Sequence, residues 1–193
     1  MDEELRSLTE RLRSEAGAAS SGAYENLVAT GDLDELADVL TAPGQPLWAR
    51  ELAAFRLGLA GDRRAFEALV LLLNHRDPQR CSSAAYALAR LGDPRTARAA
   101  AALATNELRV AYALHPVRLL AQLRAPESVP ALITTLARRL KPHDPHRRVA
   151  LACVEALGTL GDRRAAPVLN EALAHPALAE AAVHALARIP RQR

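Results

Sequence analysis

Leu91-Gly92-Asp93-Pro94-Arg95-Thr96 decides how this chain folds. Its pattern recurs as Ala60-Gly61-Asp62-Arg63-Arg64-Ala65 and as Leu160-Gly161-Asp162-Arg163-Arg164-Ala165, with an earlier echo at Thr30-Gly31-Asp32. Gly31, Gly61, Gly92 and Gly161 lie 30, 31 and 69 residues apart. The long gap holds a degenerate copy, Leu123-Arg124-Ala125-Pro126-Glu127-Ser128, without the Gly-Asp pair. A period of this size marks stacked repeats. Each Gly-Asp pair reads as a turn between two helices. Gly61, Gly92 and Gly161 suit the left-handed residue after a helix, which carries no Cβ penalty for glycine. Asp62, Asp93 and Asp162 then cap the next helix by accepting from its free N–H groups.

The flanks agree. Before the turn, Ala84, Ala85, Leu88 and Leu91 recur as Cys153, Val154, Leu157 and Leu160. After it, Phe66, Leu69, Val70 and Leu73 recur as Val129, Leu132, Ile133 and Leu136, at helical spacing. Half of the 193 residues are apolar and only 3% aromatic, with alanine dominant, which favours helices over sheets. The expected class is all-α: a right-handed α-solenoid, or α-α superhelix, of about five helix pairs with helical caps. The chain reads as one domain over 1–193. It has an N-terminal helix over 1–20, repeats over about 22–47, 48–79, 80–108, 109–146 and 147–176, and a C-terminal cap over 177–193. Ala18 to Gly22 is the expected flexible point. Pro116 stands inside the first helix of the degenerate unit and should bend it.

The pattern Ala-Leu-x-x-Leu-Gly-Asp-x-Arg-Ala resembles the HEAT-like repeats of the phycobilisome lyase family, over roughly residues 22–190. The resemblance implies two helices per unit, with second helices lining a concave face. It also implies alternatives to be weighed. A bilin lyase would want an aromatic and polar pocket, and aromatics are few. The HEAT-like hydroxylase that modifies deoxyhypusine holds its irons with His-Glu pairs, and no histidine here precedes a glutamate. A HEAT-like alkylpurine DNA glycosylase grips its lesion with Trp, Tyr and Asp. Here Trp48, Tyr24, Tyr86 and Tyr112 read as packing residues.

Composition and motifs supply no chemistry. His143-Asp144-Pro145-His146 is the one cluster of metal-type donors, and its prolines make it a loop without helical His-x-x-x-His geometry. Cys81 and Cys153 sit in apolar helical stretches and read as buried thiols in a reducing compartment. The glycines are isolated at helix ends, so no phosphate loop exists. No catalytic, cofactor or metal residue is assigned. No apolar run approaches the roughly 20 residues that span a bilayer, and Met1-Asp2-Glu3-Glu4 does not begin a secretory signal, so a cytoplasmic protein is expected.

Charge is uneven. Residues 1–50 carry ten acids against four arginines, and residues 51–193 twelve acids against twenty-one bases, of which Lys141 is the only lysine. The arginine bias fits a GC-rich bacterial-type genome. It also leaves an anionic partner open through Arg95, Arg98, Arg138, Arg139, Arg147, Arg148, Arg163 and Arg164, although Asp62, Asp93 and Asp162 should hold some of these arginines in ladders between repeats. The favoured reading is a non-enzymatic scaffold, monomeric or weakly dimeric, that binds an unknown protein on its concave face. The contact candidates are Glu67, Leu71, Asn74, Arg98, Thr105, Thr134, Thr135, Arg138, Arg139 and Glu171, with Ala102, Ala131 and Pro167 on the same faces. Nucleic acid is the alternative, and a chromophore handler stands behind it.

Overall fold

The computed structural model describes residues 3–190. Among them every regular element is helical, and no helix is long and apolar enough to cross a membrane. Met1 and Asp2 of the expected N-terminal helix, and residues 191–193 of the expected cap, lie outside the described residues.

The chain divides into two compact units, Met1–Thr96 and Ala97–Arg193. The first holds α1 (Glu3–Ala16), α2 (Ser21–Ala29), α3 (Leu33–Thr41), α4 (Leu47–Leu59), α5 (Phe66–Leu73) and α6 (Pro78–Leu91). The second holds α7 (Thr96–Thr105, entered from the last residue of the first unit), α8 (Leu114–Leu123), α9 (Ser128–Arg139), α10 (Arg147–Leu160), α11 (Ala166–Ala172) and α12 (Ala179–Ala187).

In the first unit α4 is the hub, packed by α1, α3, α5 and α6. Its Leu52, Phe55 and Leu57 are sealed from solvent, as are Leu8 and Leu12 of α1, Leu36 of α3 and Leu69 and Leu73 of α5. Phe55 lies parallel to Tyr86 of α6, with centroids 6.0 Å apart. The hub also carries a charge. Glu51, one residue before Leu52, is 1% exposed, and its carboxylate receives Arg11 of α1 and Arg80 of α6. Glu15 closes the ring by bridging the same two arginines, at 2.9 Å to Arg11 and 2.6 Å to Arg80. Each arginine contacts both acids, so α1 is tied to α4 and α6 by a cycle of ion pairs as well as by its leucines. An acid buried this deeply stays charged only where its partners replace water.

In the second unit α10 is the hub, packed by α8, α9 and α12, with Cys153, Val154 and Leu157 fully buried. Gly158 lets α12 in: a Cβ there would come within 2.8 Å of Ala185. Pro116 does not bend a helix. α8 starts at Leu114, so Pro116 sits in its first turn, where the missing N–H has no acceptor within the helix. The chain instead adjusts upstream, in a 3-10 segment Glu107–Tyr112 whose Arg109 leaves helical geometry at φ −130°. The stretch Ala18 to Gly22 forms a 3-10 turn, Ala18–Ser20, running into α2.

Glu51→Gln should cost about 3–5 kcal/mol, the scale for removing one partner of a buried ion pair, read by urea unfolding. Gly158→Ala should cost about 1–3 kcal/mol through overpacking against Ala185. Gly22→Ala, a helical glycine with no atom within 4 Å of the added Cβ, should be neutral or gain up to about 1 kcal/mol. Equal effects of the two alanines would contradict the α10–α12 contact.

Candidate interaction surface on the second helices

The turn aspartates define this surface because they fix the register of the helices that follow. Asp62, Asp93 and Asp162 accept from the backbone N–H two residues on, at 3.0, 2.9 and 2.8 Å. They cap the turn that leads into α5, α7 and α11. Gly92 and Gly161 before them take φ of 64° and 66°, and Gly61 takes 77°. The arginine two residues on folds back onto the same carboxylate: Arg64 Nε to Asp62 at 3.0 Å, Arg95 Nε to Asp93 at 3.0 Å, Arg164 Nε to Asp162 at 3.0 Å. Two of these arginines also reach back to the preceding pair. Arg64 donates to Asp34 at 2.8 Å, and Arg95 donates to Glu67 at 3.2 Å while lying over the Phe66 ring. Hydrogen bonds from these arginines hold all three aspartates below the usual carboxylate pKa. Asp77, a cap not anticipated from the sequence, serves α6 in the same way through Gln79 N–H.

Counting from each aspartate, the fifth, ninth and twelfth residues stand on one helix face. On α5 these are Glu67, Leu71 and Asn74; on α7, Arg98, Ala102 and Thr105; after Asp162, Pro167, Glu171 and Ala174. Glu67, Arg98, Ala102, Pro167, Glu171 and Ala174 are exposed, and Asn74 and Thr105 are half-buried. Leu71 is 74% exposed, although Leu69, Leu72 and Leu73 around it are buried. On α9 the face is Pro130, Thr134 and Ala137. Here the sequence register was wrong: Ala131 and Thr135 point inward. Thr135 is 4% exposed, and its hydroxyl donates to Ala104 of α7 at 3.1 Å and to Ala131 at 2.8 Å, tying α9 to α7. It has no surface to offer a partner.

Arg138 and Arg139 are also engaged internally. Arg138 donates to the Thr105 carbonyl at 2.8 Å and pairs with Glu107 at 3.0 Å, closing the end of α7. Arg139 is largely buried and braces the loop after α9 through Asp144 at 3.0 Å. Between α7 and α9 lies a shallow groove of about 470 Å³, with Ala101, Pro130 and Thr134 among its lining residues. One turn before Ala101, Arg98 is exposed and has no ion-pair partner among the described residues.

Of the other arginines considered for phosphate contact, Arg163 donates to the Pro190 carbonyl at 3.1 Å, while Arg147 and Arg148 are exposed at the start of α10. The aromatics are used in packing: Trp48 against Tyr24, Tyr86 on Phe55, Tyr112 under Arg109. Asp144 is taken by Arg139 and by the His146 N–H, and no group of three His, Cys, Asp or Glu among the described residues could hold a metal ion. Burial pushes the Cys153 thiol up to about 12, so it stays protonated at neutral pH and is no nucleophile.

Residues 149–175 match the model of the PBS lyase HEAT-like repeat. The match runs from α10 through the Gly161-Asp162 turn to the end of α11, so this helix pair is a repeat of that type. No curated protein matches the chain.

Because their folded-state pKa is depressed, the turn aspartates stabilise fully above the ordinary carboxylate range. That contribution is lost as pH falls through the lowered values. Stability should therefore drop from about pH 4 downward. Asp93→Asn should lose about 1 kcal/mol at neutral pH and show a shallower acid limb in thermal unfolding. An unchanged acid limb would remove Asp93 from the titrating set.

Proposed function

We propose that the chain is a non-enzymatic scaffold that binds a protein through the exposed faces of its second helices. The observation that carries this is Leu71, a large apolar side chain held out to solvent at the centre of α5. Lone exposed leucines are common on protein surfaces, but this one stands at the position that Asp62, Asp93 and Asp162 each set outward on the helix that follows, and HEAT-like repeats are generally protein-interaction scaffolds. The α7–α9 groove, with Ala101 and Pro130 in its lining, supplies a second small-residue surface of the kind an apolar side chain fills. Glu67 and Asn74 flank Leu71 in the first unit, and Arg98, Thr105, Thr134 and Glu171 are the polar groups on the second helices of the second unit.

Nucleic acid is the second reading, and Arg98, Arg147 and Arg148 are what favour it. Against it stand the carboxylates on Arg64, Arg95, Arg138, Arg139 and Arg164 and the packed aromatics, which leave no stacking platform.

Affinity capture from the native host with wild type, Leu71→Asp and Leu108→Asp tests the proposal. Leu108, 93% exposed on the 3-10 turn outside the second helices, is the control. A specific protein captured by wild type and by Leu108→Asp should fall about tenfold with Leu71→Asp. Equal capture by all three would remove Leu71 from the interface.

A further inference from the structure

A groove of about 610 Å³ runs between α10 and α12, two first-helix elements, away from the second-helix faces. Its floor is fixed by the contact of Gly158 with Ala185, which a single Cβ would block. One wall carries Glu155 and Thr159 of α10, and the other carries Glu180, His184 and Arg188 of α12. At about 1.5 Å rise per residue, the three α12 side chains stand one turn apart and Glu180 lies roughly 12 Å from Arg188 along the axis. The groove is therefore graded, with carboxylates at one end, an imidazole between and a guanidinium at the other end.

Among the described residues these charges lack mates. In the same unit Glu107, Asp144 and Asp162 are each held by an arginine, whereas Glu155, Glu180 and Arg188 have no ion-pair partner among the described residues. Arg188 and the two glutamates share one groove and still do not pair with each other. A concave surface with a small-residue floor and unmated charges of both signs on its rim is complementary to a segment carrying the opposite gradient. We infer that the α10–α12 groove docks a peptide segment of a partner protein. That segment presents a basic residue to Glu155 and Glu180, an acidic residue about two helical turns away to Arg188, and small apolar side chains to the floor. This site is separate from the second-helix surface, so a partner could use either without the other.

The test is fluorescence anisotropy of the full chain against three labelled alanine-rich peptides. One carries Lys and Glu two turns apart, one carries them in reverse order, and one carries Gln at both positions. Wild type should bind one charge order about tenfold more tightly than the Gln peptide. The triple variant Glu155→Lys, Glu180→Lys, Arg188→Glu changes only exposed side chains, so the fold should persist, and it should prefer the opposite order. Equal affinity of wild type for all three peptides, absence of binding, or a triple variant that keeps the wild-type preference would overturn the inference. None of these results bears on Leu71, so the second-helix proposal stands or falls separately.

Discussion

One interaction recurs at three of the Gly-Asp turns, those of Asp62, Asp93 and Asp162. An aspartate accepts the N–H two residues ahead, and the arginine at that position folds back onto the aspartate. The backbone bond satisfies a donor that a helix start leaves open, and the guanidinium neutralises the carboxylate. With the entry to the second helix fixed in this way, the face five, nine and twelve residues on is fixed too. The outward position of Leu71, Ala102 and Glu171 is a consequence of where the turn begins.

The same interaction governs the surface charge. The second portion of the sequence has a surplus of arginine, yet the turn arginines are closed onto their own aspartates. Arg64 and Arg95 also reach acids of the preceding pair. A basic sequence therefore does not make a basic second-helix face. What remains outward there is small or polar, with Arg98 as a free cation and Leu71 as an apolar exception. HEAT-like repeats are generally interaction scaffolds, and this distribution of groups is one that suits protein contact.

The helix pairs were legible because their signals are local: a glycine, an aspartate and an apolar stripe at helical spacing, all within a few turns of chain. Where the local anchor is missing, legibility fails. Ala125 stands where the other turns have aspartate, and on α9 the sequence puts Ala131 and Thr135 outward beside Thr134, although Thr135 is buried against α7 and only Thr134 of the three is exposed. Pro116 was misjudged for a related reason, since nothing in the sequence marks Leu114 as the helix start. The Glu51 ring was not foreseen because its members come from three helices up to 65 residues apart. Its one local signal was an acid among the apolar residues of α4, beside Leu52 and Ala53. Arg138 and Arg139 looked like free surface charge, and only the folded loops after α7 and α9 supply their partners.

Arg64, Arg95 and Arg164 at the turns, and Arg138 and Arg139 at the end of α9, are closed onto carboxylates, which under the proposed function leaves the second helices to protein and not to nucleic acid. The most direct measurement is a titration of the full chain against a short DNA duplex at low and at physiological salt. The account predicts weak binding at low salt that disappears at physiological salt, as expected when only a few cations meet phosphate at one time. Binding that survives physiological salt and weakens with Arg98→Glu or Arg147→Glu would contradict it.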